Sequence, residues 1–320
     1  MTSVLRTMIA YKEWVILICM VVLGAVLTDG LFMQPGNLTD LLRSNAPVAI
    51  MAVAMTFVIL TAGIDLSVGS ILALSSVCTA MVLTRWNPGL SSGAHMAVAV
   101  AVAILVGGLA GLVQGGLIAT MRIQPFIITL AGMIGFRGLA KLLSENNRIG
   151  LGVDHDSVAW AFGEQFSSKG TMIGCLVMAT LVFWVVLRYT VFGRYVRAVG
   201  DNPVAARYAG LPLRRVQLAV YTLSGVMAGL AGLLMCARTR TGDANIGVAY
   251  ELDAIAMVVI GGTSLAGGKG SISGTVLGVL IMGTVINILG LKNVDANVQY
   301  VLKAVIIVLA VALQMRRSRD

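Results

Sequence analysis

Ten long apolar runs limit what this chain can fold into. They lie at about 14–27, 45–63, 68–84, 96–119, 125–144, 171–188, 217–237, 251–262, 272–290 and 298–315. A helix that crosses bilayer hydrocarbon needs about 20 such residues. In lipid the backbone must satisfy its own hydrogen bonds, which continuous apolar runs do as helices. Only 12% of the residues are charged and 58% are apolar, against about a quarter and about half in an ordinary soluble domain. Ten spans in 320 residues leave no space for a soluble catalytic domain. The expected fold is therefore an all-α polytopic membrane protein, a single transmembrane domain over 1–320 with about ten membrane helices. The weakest run is 251–262, which is short and opens on Glu251 and Asp253.

The charges at the ends of these runs are uneven. With the N terminus inside, the inner segments hold Arg6, Lys12, Arg122, Arg188, Arg194, Arg197, Arg207, Arg214, Arg215, Lys269, Arg316, Arg317 and Arg319. The same segments hold only four acids, Glu13, Asp65, Asp201 and Asp320. The other ten acids fall outside, against ten basic residues, so the whole net charge of +9 lies within. Short loops rich in Lys and Arg stay on the cytoplasmic side. Both termini are accordingly expected in the cytoplasm. The basic balance is a topology signal, and no nucleic-acid partner is expected. No A-x-A cleavage site follows the first run, which reads as an uncleaved first helix.

Two polar segments are longer than a turn requires. The outer one, about 145–170, is weakly acidic and rich in Gly and Ser. The inner one, about 189–216, is strongly basic. Within it, Asp201-Asn202-Pro203 has the form of a helix start, with proline at the first helical position. Gly210 followed by Pro212 has the form of a stop. One short helix over about 203–209 is expected between two spans.

An internal repeat connects two other places. Val58–Ser70 (VILTAGIDLSVGS) and Val259–Ser271 (VIGGTSLAGGKGS) align without gaps at an offset of 201 residues, matching at Val, Ile, Gly and Ser. In each, an apolar span runs into a Gly/Ser break and a second span follows. Paired interrupted segments of this kind point to a transport path, because irregular backbone at membrane depth survives only beside protein or a water-filled cavity. Each break also carries a charge, Asp65 or Lys269. Since LSVGSILAL follows Asp65, a helix N-cap is its expected role ahead of a substrate contact.

Several patterns lead away from catalysis. Gly268-Lys269 ends like a phosphate-binding loop, but Thr263 stands at the first glycine position and Gly270 at the Ser/Thr position. ATP binding by this chain is excluded on that ground. The four cysteines lie unpaired in apolar stretches, and neither a metal-ligand spacing nor a nucleophile–base pair is present. No bound cofactor or metal is expected. Glycines four apart, at Gly107/Gly111/Gly115, Gly225/Gly229 and Gly274/Gly278, read as helix packing faces.

Three stretches together resemble a known family: FVILTAGIDLSVGSILAL (57–74), FGRYVRAVGDNPVAARYAGL (192–211) and YELDAIAMVVIGGTSLAGGKGSISGTVLG (250–278). They are similar to the permease subunits of ABC monosaccharide importers, the ribose/xylose/arabinose/galactoside group, from about residue 38 to 313. The resemblance implies a bacterial inner-membrane protein whose pore needs a second permease, a copy of itself or a sister chain. It implies a cytoplasmic ABC ATPase that uses ATP and Mg, and a periplasmic or tethered sugar-binding protein. It implies that 202–211 is the coupling helix that docks on the ATPase through Asn202, Pro203, Ala206, Arg207, Tyr208 and Gly210, flanked by Arg194, Arg214 and Arg215. Polar groups inside spans then become candidates for the translocation path: Thr61, Asp65, Thr129 and Asn287. Asp156 and Asp243 are candidates for meeting the binding protein. An ion-coupled secondary transporter and a branched-chain amino acid permease are the alternatives, and no residue specifies one sugar.

Overall fold

The computed structural model describes residues 12–86, 89–121 and 123–317. Arg6, Arg122, Arg319 and Asp320 of the charge pattern lie outside the described residues. Thirteen helices make up the described chain: α1 Lys12–Leu27, α2 Pro35–Leu60, α3 Val68–Arg85, α4 Ser92–Met121, α5 Pro125–Leu143, α6 Val158–Ser167, α7 Lys169–Tyr189, α8 Val191–Asp201, α9 Pro203–Tyr208, α10 Leu213–Thr239, α11 Tyr250–Ile260, α12 Ile272–Leu291 and α13 Ala296–Arg317. A 3-10 turn, Leu31–Met33, precedes α2. The two-residue strands Ile149–Gly150 and Thr241–Gly242 pair antiparallel. The protein is an all-α polytopic membrane protein. Seven of its described helices, α2, α3, α4, α5, α7, α10 and α12, are long and apolar enough to cross a membrane.

The polar segments hold more helix than the sequence suggests. The basic inner segment forms two helices, α8 and α9, where one was expected. The reason is amphipathic: Gly193, Val196, Val199 and Gly200 form a buried stripe at helical spacing, and Arg194 is exposed. Thr190 caps α8 by accepting a bond from the Gly193 amide. The outer segment contains α6, capped by Ser157 at the Trp160 amide.

Glycine faces set the packing. A Cβ on Gly107 would strike the Gly225 carbonyl and the Gly229 backbone, and one on Gly111 would strike the Tyr221 carbonyl. Helices α4 and α10 therefore run antiparallel with their backbones in contact, as the four-residue spacing predicts. Gly274 and Gly278 do the same for the α11–α12 hairpin, against Gly261 and the Met257 carbonyl. Thr56 and Thr275, both fully buried, share a 2.7 Å hydrogen bond that joins α2 to α12. Helices α2 and α3 form the centre, with 78% and 72% of their most apolar windows buried, whereas α5 is peripheral at 11%.

Candidate functional site

The two interrupted segments close in the same way. At the end of α2, the Ala62 amide donates to the Ile59 carbonyl and the Gly63 amide to the Val58 carbonyl. At the end of α11, the Gly262 amide donates to Val259 and the Thr263 amide to Val258. Both are Schellman closures with a left-handed residue, Ala62 at φ 58° and Gly262 at φ 85°. The helix ends thus correspond at an offset of 200, not the 201 of the ungapped alignment. The following helices begin after Ser67 and Ser271. The second break is longer by four residues, which a gapless alignment hides.

The closures touch. The Gly268 amide donates to the Leu60 carbonyl at 3.0 Å, across the two breaks. The elbow between α8 and α9 sits on the same spot. A Cβ on Gly200 would fall on the Leu60 carbonyl and the Gly268 amide, a Cβ on Gly267 would meet the Gly200 carbonyl and Ala62, and a Cβ on Gly268 would meet Asp201. Three segments far apart in sequence meet here backbone to backbone.

Beyond the elbow, α9 is built as expected over Pro203–Tyr208. The Asn202 side-chain oxygen accepts from the Val204 and Ala205 amides at 3.0 and 2.9 Å. Gly210, at φ 78°, ends the helix, with bonds from Gly210 to the Arg207 carbonyl and from Leu211 to the Ala206 carbonyl. Ala206 is buried, and Val204, Arg207 and Tyr208 share the outward face at i, i+3 and i+4. Tyr208 is 89% exposed. Arg194, Arg214 and Arg215 are exposed too. A groove of about 760 Å³ runs beside them, between the α4–α5 turn and the start of α10, with Gln124, Arg207, Arg214 and Arg215 along it. The opposite end of the bundle is neutralised by ion pairs, including Arg148–Asp243 and Lys169–Asp40, each at 2.9 Å.

The first break turns back into the core. Asp65 is 1% exposed. Its Oδ1 accepts from the Ser67 amide at 3.0 Å and the Ser67 hydroxyl at 2.5 Å, and its Oδ2 accepts from the Ser224 hydroxyl at 2.8 Å. The expected capping role needs correction: Ser67 is the N-cap of α3, and Asp65 lies two residues before it and binds the chain to α10. The Gln114 carbonyl oxygen lies 3.1 Å from the Ser67 hydroxyl. Thr129 donates to the Ile64 carbonyl at 3.1 Å. Thr61 donates to the Val58 carbonyl at 2.8 Å. Thr61, Asp65 and Thr129 are therefore neighbours at one break. Asn287 is elsewhere, in a reciprocal 2.9 Å amide pair with Asn37 at the other end of α2. Lys269 is exposed and does not pair with buried Asp65.

Sequence reasoning missed Ser224, Gln114, Tyr221 and Gly200. The first two are polar residues inside apolar runs, which marks them as internal partners. Gly200 has no signal of its own.

Comparison with known proteins identifies the family. The family described as branched-chain amino acid transport system / permease component matches residues 37–311. The ribose import permease protein RbsC of Bacillus subtilis is 40% identical over 309 residues, 94% of this chain and 91% of that protein. The chain belongs to the permease family of ABC importers. The RbsC protein of Escherichia coli K12 is 38% identical over 309 residues, 96% of the permease described here and 94% of its relative. The L-arabinose ABC transporter permease protein AraH of Azospirillum brasilense is 38% identical over 289 residues, 90% and 83% of the two chains. No solved structure gives a significant match. Family membership sets aside the ion-coupled secondary transporter.

Proposed function

We propose that this permease moves a monosaccharide through the bacterial inner membrane by alternating access, driven by a separate cytoplasmic ATPase. One observation carries the coupling: the α8–α9 elbow bears directly on both breaks through Gly200 and Asp201. In this reading Val204, Arg207 and Tyr208 of α9 dock on the ATPase, with Asn202, Pro203, Ala206 and Gly210 shaping the helix and Arg194, Arg214 and Arg215 flanking it. Nucleotide-driven closure of the ATPase moves the elbow, and the two breaks move with it. ATP and Mg belong to the partner, and this chain holds no cofactor and forms no bond with substrate.

Ten spans follow if α1, α11 and α13 join the seven, with α11 as a half-span of 11 residues. The break end is then cytoplasmic, and so are both chain ends. This is supported by the arginines of 188–215 on that side and by Glu13, at the start of α1, reaching Gly262. Thr61, Asp65 and Thr129 border the path at the first break, whereas Asn287 joins helices. A periplasmic or tethered binding protein meets the opposite end, where Asp156 and Asp243 lie. The second permease of the pore is a copy of this chain or a sister permease. Helix α5 supports that: it is the least buried of the seven, yet its mean hydropathy is 1.6 against 2.6 for α4, which is low for a lipid-facing helix. A sugar is favoured over a branched-chain amino acid because relatives at 38–40% identity are named for ribose and arabinose.

The test is uptake into vesicles that contain this chain with a partner ABC ATPase and a sugar-binding protein. Labelled ribose, xylose, arabinose, galactose and leucine are offered with and without ATP, and Arg207→Glu is run in parallel. ATP-dependent uptake of one sugar, lost in the inserted variant, is the expected result. Uptake of leucine alone, or uptake indifferent to ATP, overturns it.

A further inference from the structure

We propose that the groove between the α4–α5 turn and the start of α10 binds the headgroup of an anionic phospholipid from the cytoplasmic leaflet. The inference rests on the inner placement of the break end argued above, and it is independent of which solute is carried. At about 760 Å³ the groove falls within the about 300–1,000 Å³ of small-ligand sites. Ile118, Ile123, Leu211 and Leu213 give it an apolar floor, and its charged lining is Arg207, Arg214 and Arg215 without an acid. All three arginines are exposed, and none makes an ion pair among the described residues. Basic residues at the opposite end of the bundle do pair, as in Arg148–Asp243 and Lys169–Asp40. Asp201 is the only acid in residues 188–215, and it lies beside Gly268.

Topology alone does not account for this placement. Arg214 and Arg215 stand in the first turn of α10, where the helix dipole disfavours cations. An anion between them offsets that cost. Depth in the membrane identifies the anion. Helices α4 and α5 are both long and apolar enough to span, so the turn between them lies where the chain leaves the hydrocarbon. On α4, Leu105, Leu109, Val113, Leu117 and Met121 recur every fourth residue, and each is between 39% and 61% exposed. This apolar track ends at Met121, which neighbours the groove residue Ile118 on the helix surface at i, i+3. Arginines for a phosphate, an apolar floor and a track for acyl chains together match a phospholipid, whereas a soluble anion would use only the arginines. Three cations without an acid favour a headgroup of net negative charge over a zwitterionic one, and basic pockets at the cytoplasmic ends of spans hold such headgroups. Leu211 and Pro212, which join α9 to α10, line the same groove. A seated headgroup therefore steadies the base of the docking helix.

The test uses the full-length chain, with and without a partner ABC ATPase, in phosphatidylcholine vesicles doped with phosphatidylglycerol. The probe is phosphatidylglycerol with a photoreactive diazirine in its acyl chain near the glycerol, and phosphatidylcholine with the same chain is the control. Mass spectrometry locates the label. Phosphatidylglycerol should label residues 113–126 and the control lipid should not. One arginine near an anionic surface changes binding about fivefold. Arg214→Gln should therefore cut labelling about fivefold and Arg214→Gln/Arg215→Gln about 25-fold, whereas Arg214→Lys/Arg215→Lys should keep most of it. Arg188→Gln, at an exposed inner arginine outside the groove lining, should leave labelling unchanged. If the glutamine variants do not insert, competition on the wild-type chain decides: unlabelled phosphatidylglycerol should displace the probe and phosphatidylcholine should not. Labelling that is equal for the two lipids, or that Arg188→Gln lowers as much as Arg214→Gln does, overturns the site. Labelling removed by millimolar inorganic phosphate at constant ionic strength gives the groove to a soluble anion and overturns the lipid. Labelling that the ATPase abolishes gives the groove to the ATPase and also overturns it. ATP-dependent sugar uptake in the same vesicles separates the two readings. Uptake without labelling removes the lipid site alone, and labelling without uptake supports the site while removing the transport reading.

Discussion

Gly200 stands against the carbonyl oxygen of Leu60 with no space between them for a side chain. The Gly268 amide donates to the same carbonyl at 3.0 Å. A motion at the end of α8 therefore reaches both interrupted spans without passing through side chains that could absorb it. Gly200→Ala should cost about 1–3 kcal/mol, the usual range for overpacking a filled interior, and should abolish ATP-dependent uptake at temperatures where the protein is still folded. Thermal unfolding in detergent and vesicle uptake check the two parts. An alanine variant with wild-type stability and transport refutes the contact.

Asn202 caps a helix of six residues that has few other restraints. Asn202→Ala should cost about 1 kcal/mol locally and weaken the ATPase complex, whereas Asn202→Asp should retain both. Binding of purified ATPase to nanodiscs that carry each variant measures it. Equal weakening by Ala and Asp would remove capping as the cause.

Thr56 and Thr275 lie 2.7 Å apart with no exposure to solvent. Either valine substitution removes the bond between the helices, while the remaining hydroxyl keeps its own carbonyl, Ala52 for Thr56 or Ser271 for Thr275, so the expected cost is about 0.5–1.5 kcal/mol. The double valine should cost less than the two single changes together. Unfolding midpoints of the three variants give the coupling, and simple additivity would show that the pair is not a unit.

Asn37 and Asn287 exchange two 2.9 Å hydrogen bonds between α2 and α12. Asn287→Ala should lower the unfolding midpoint and leave the concentration dependence of uptake unchanged. A large rise in the half-saturating sugar concentration with no loss of stability would instead return Asn287 to the translocation path.

Much of this molecule is legible from local pattern. Long apolar runs have no other stable form in a bilayer, so the spanning helices follow from composition and length. Asn202, Pro203 and Gly210 mark the ends of α9 because capping depends on residues within a few positions of one another. Glycines at four-residue spacing mark packing faces for the same reason of local geometry. The repeat at 58–70 and 259–271 identified two breaks, but its register was off by one, because a sequence match cannot detect four extra residues placed inside a loop.

Contacts between distant segments required the folded chain. Asp65 resembles a helix cap in sequence, yet the core directs it to Ser224, 159 positions away. Asn287 is a polar residue inside an apolar run, and only the folded chain shows that Asn37 of α2 is its hydrogen-bond partner. Gly200 is one of 37 glycines, and its importance comes only from what surrounds it. Hydropathy and capping act over a few residues and are written along the chain. The partner of a buried polar group, and the space left for a glycine, depend on which helices become neighbours, and tertiary packing alone decides that.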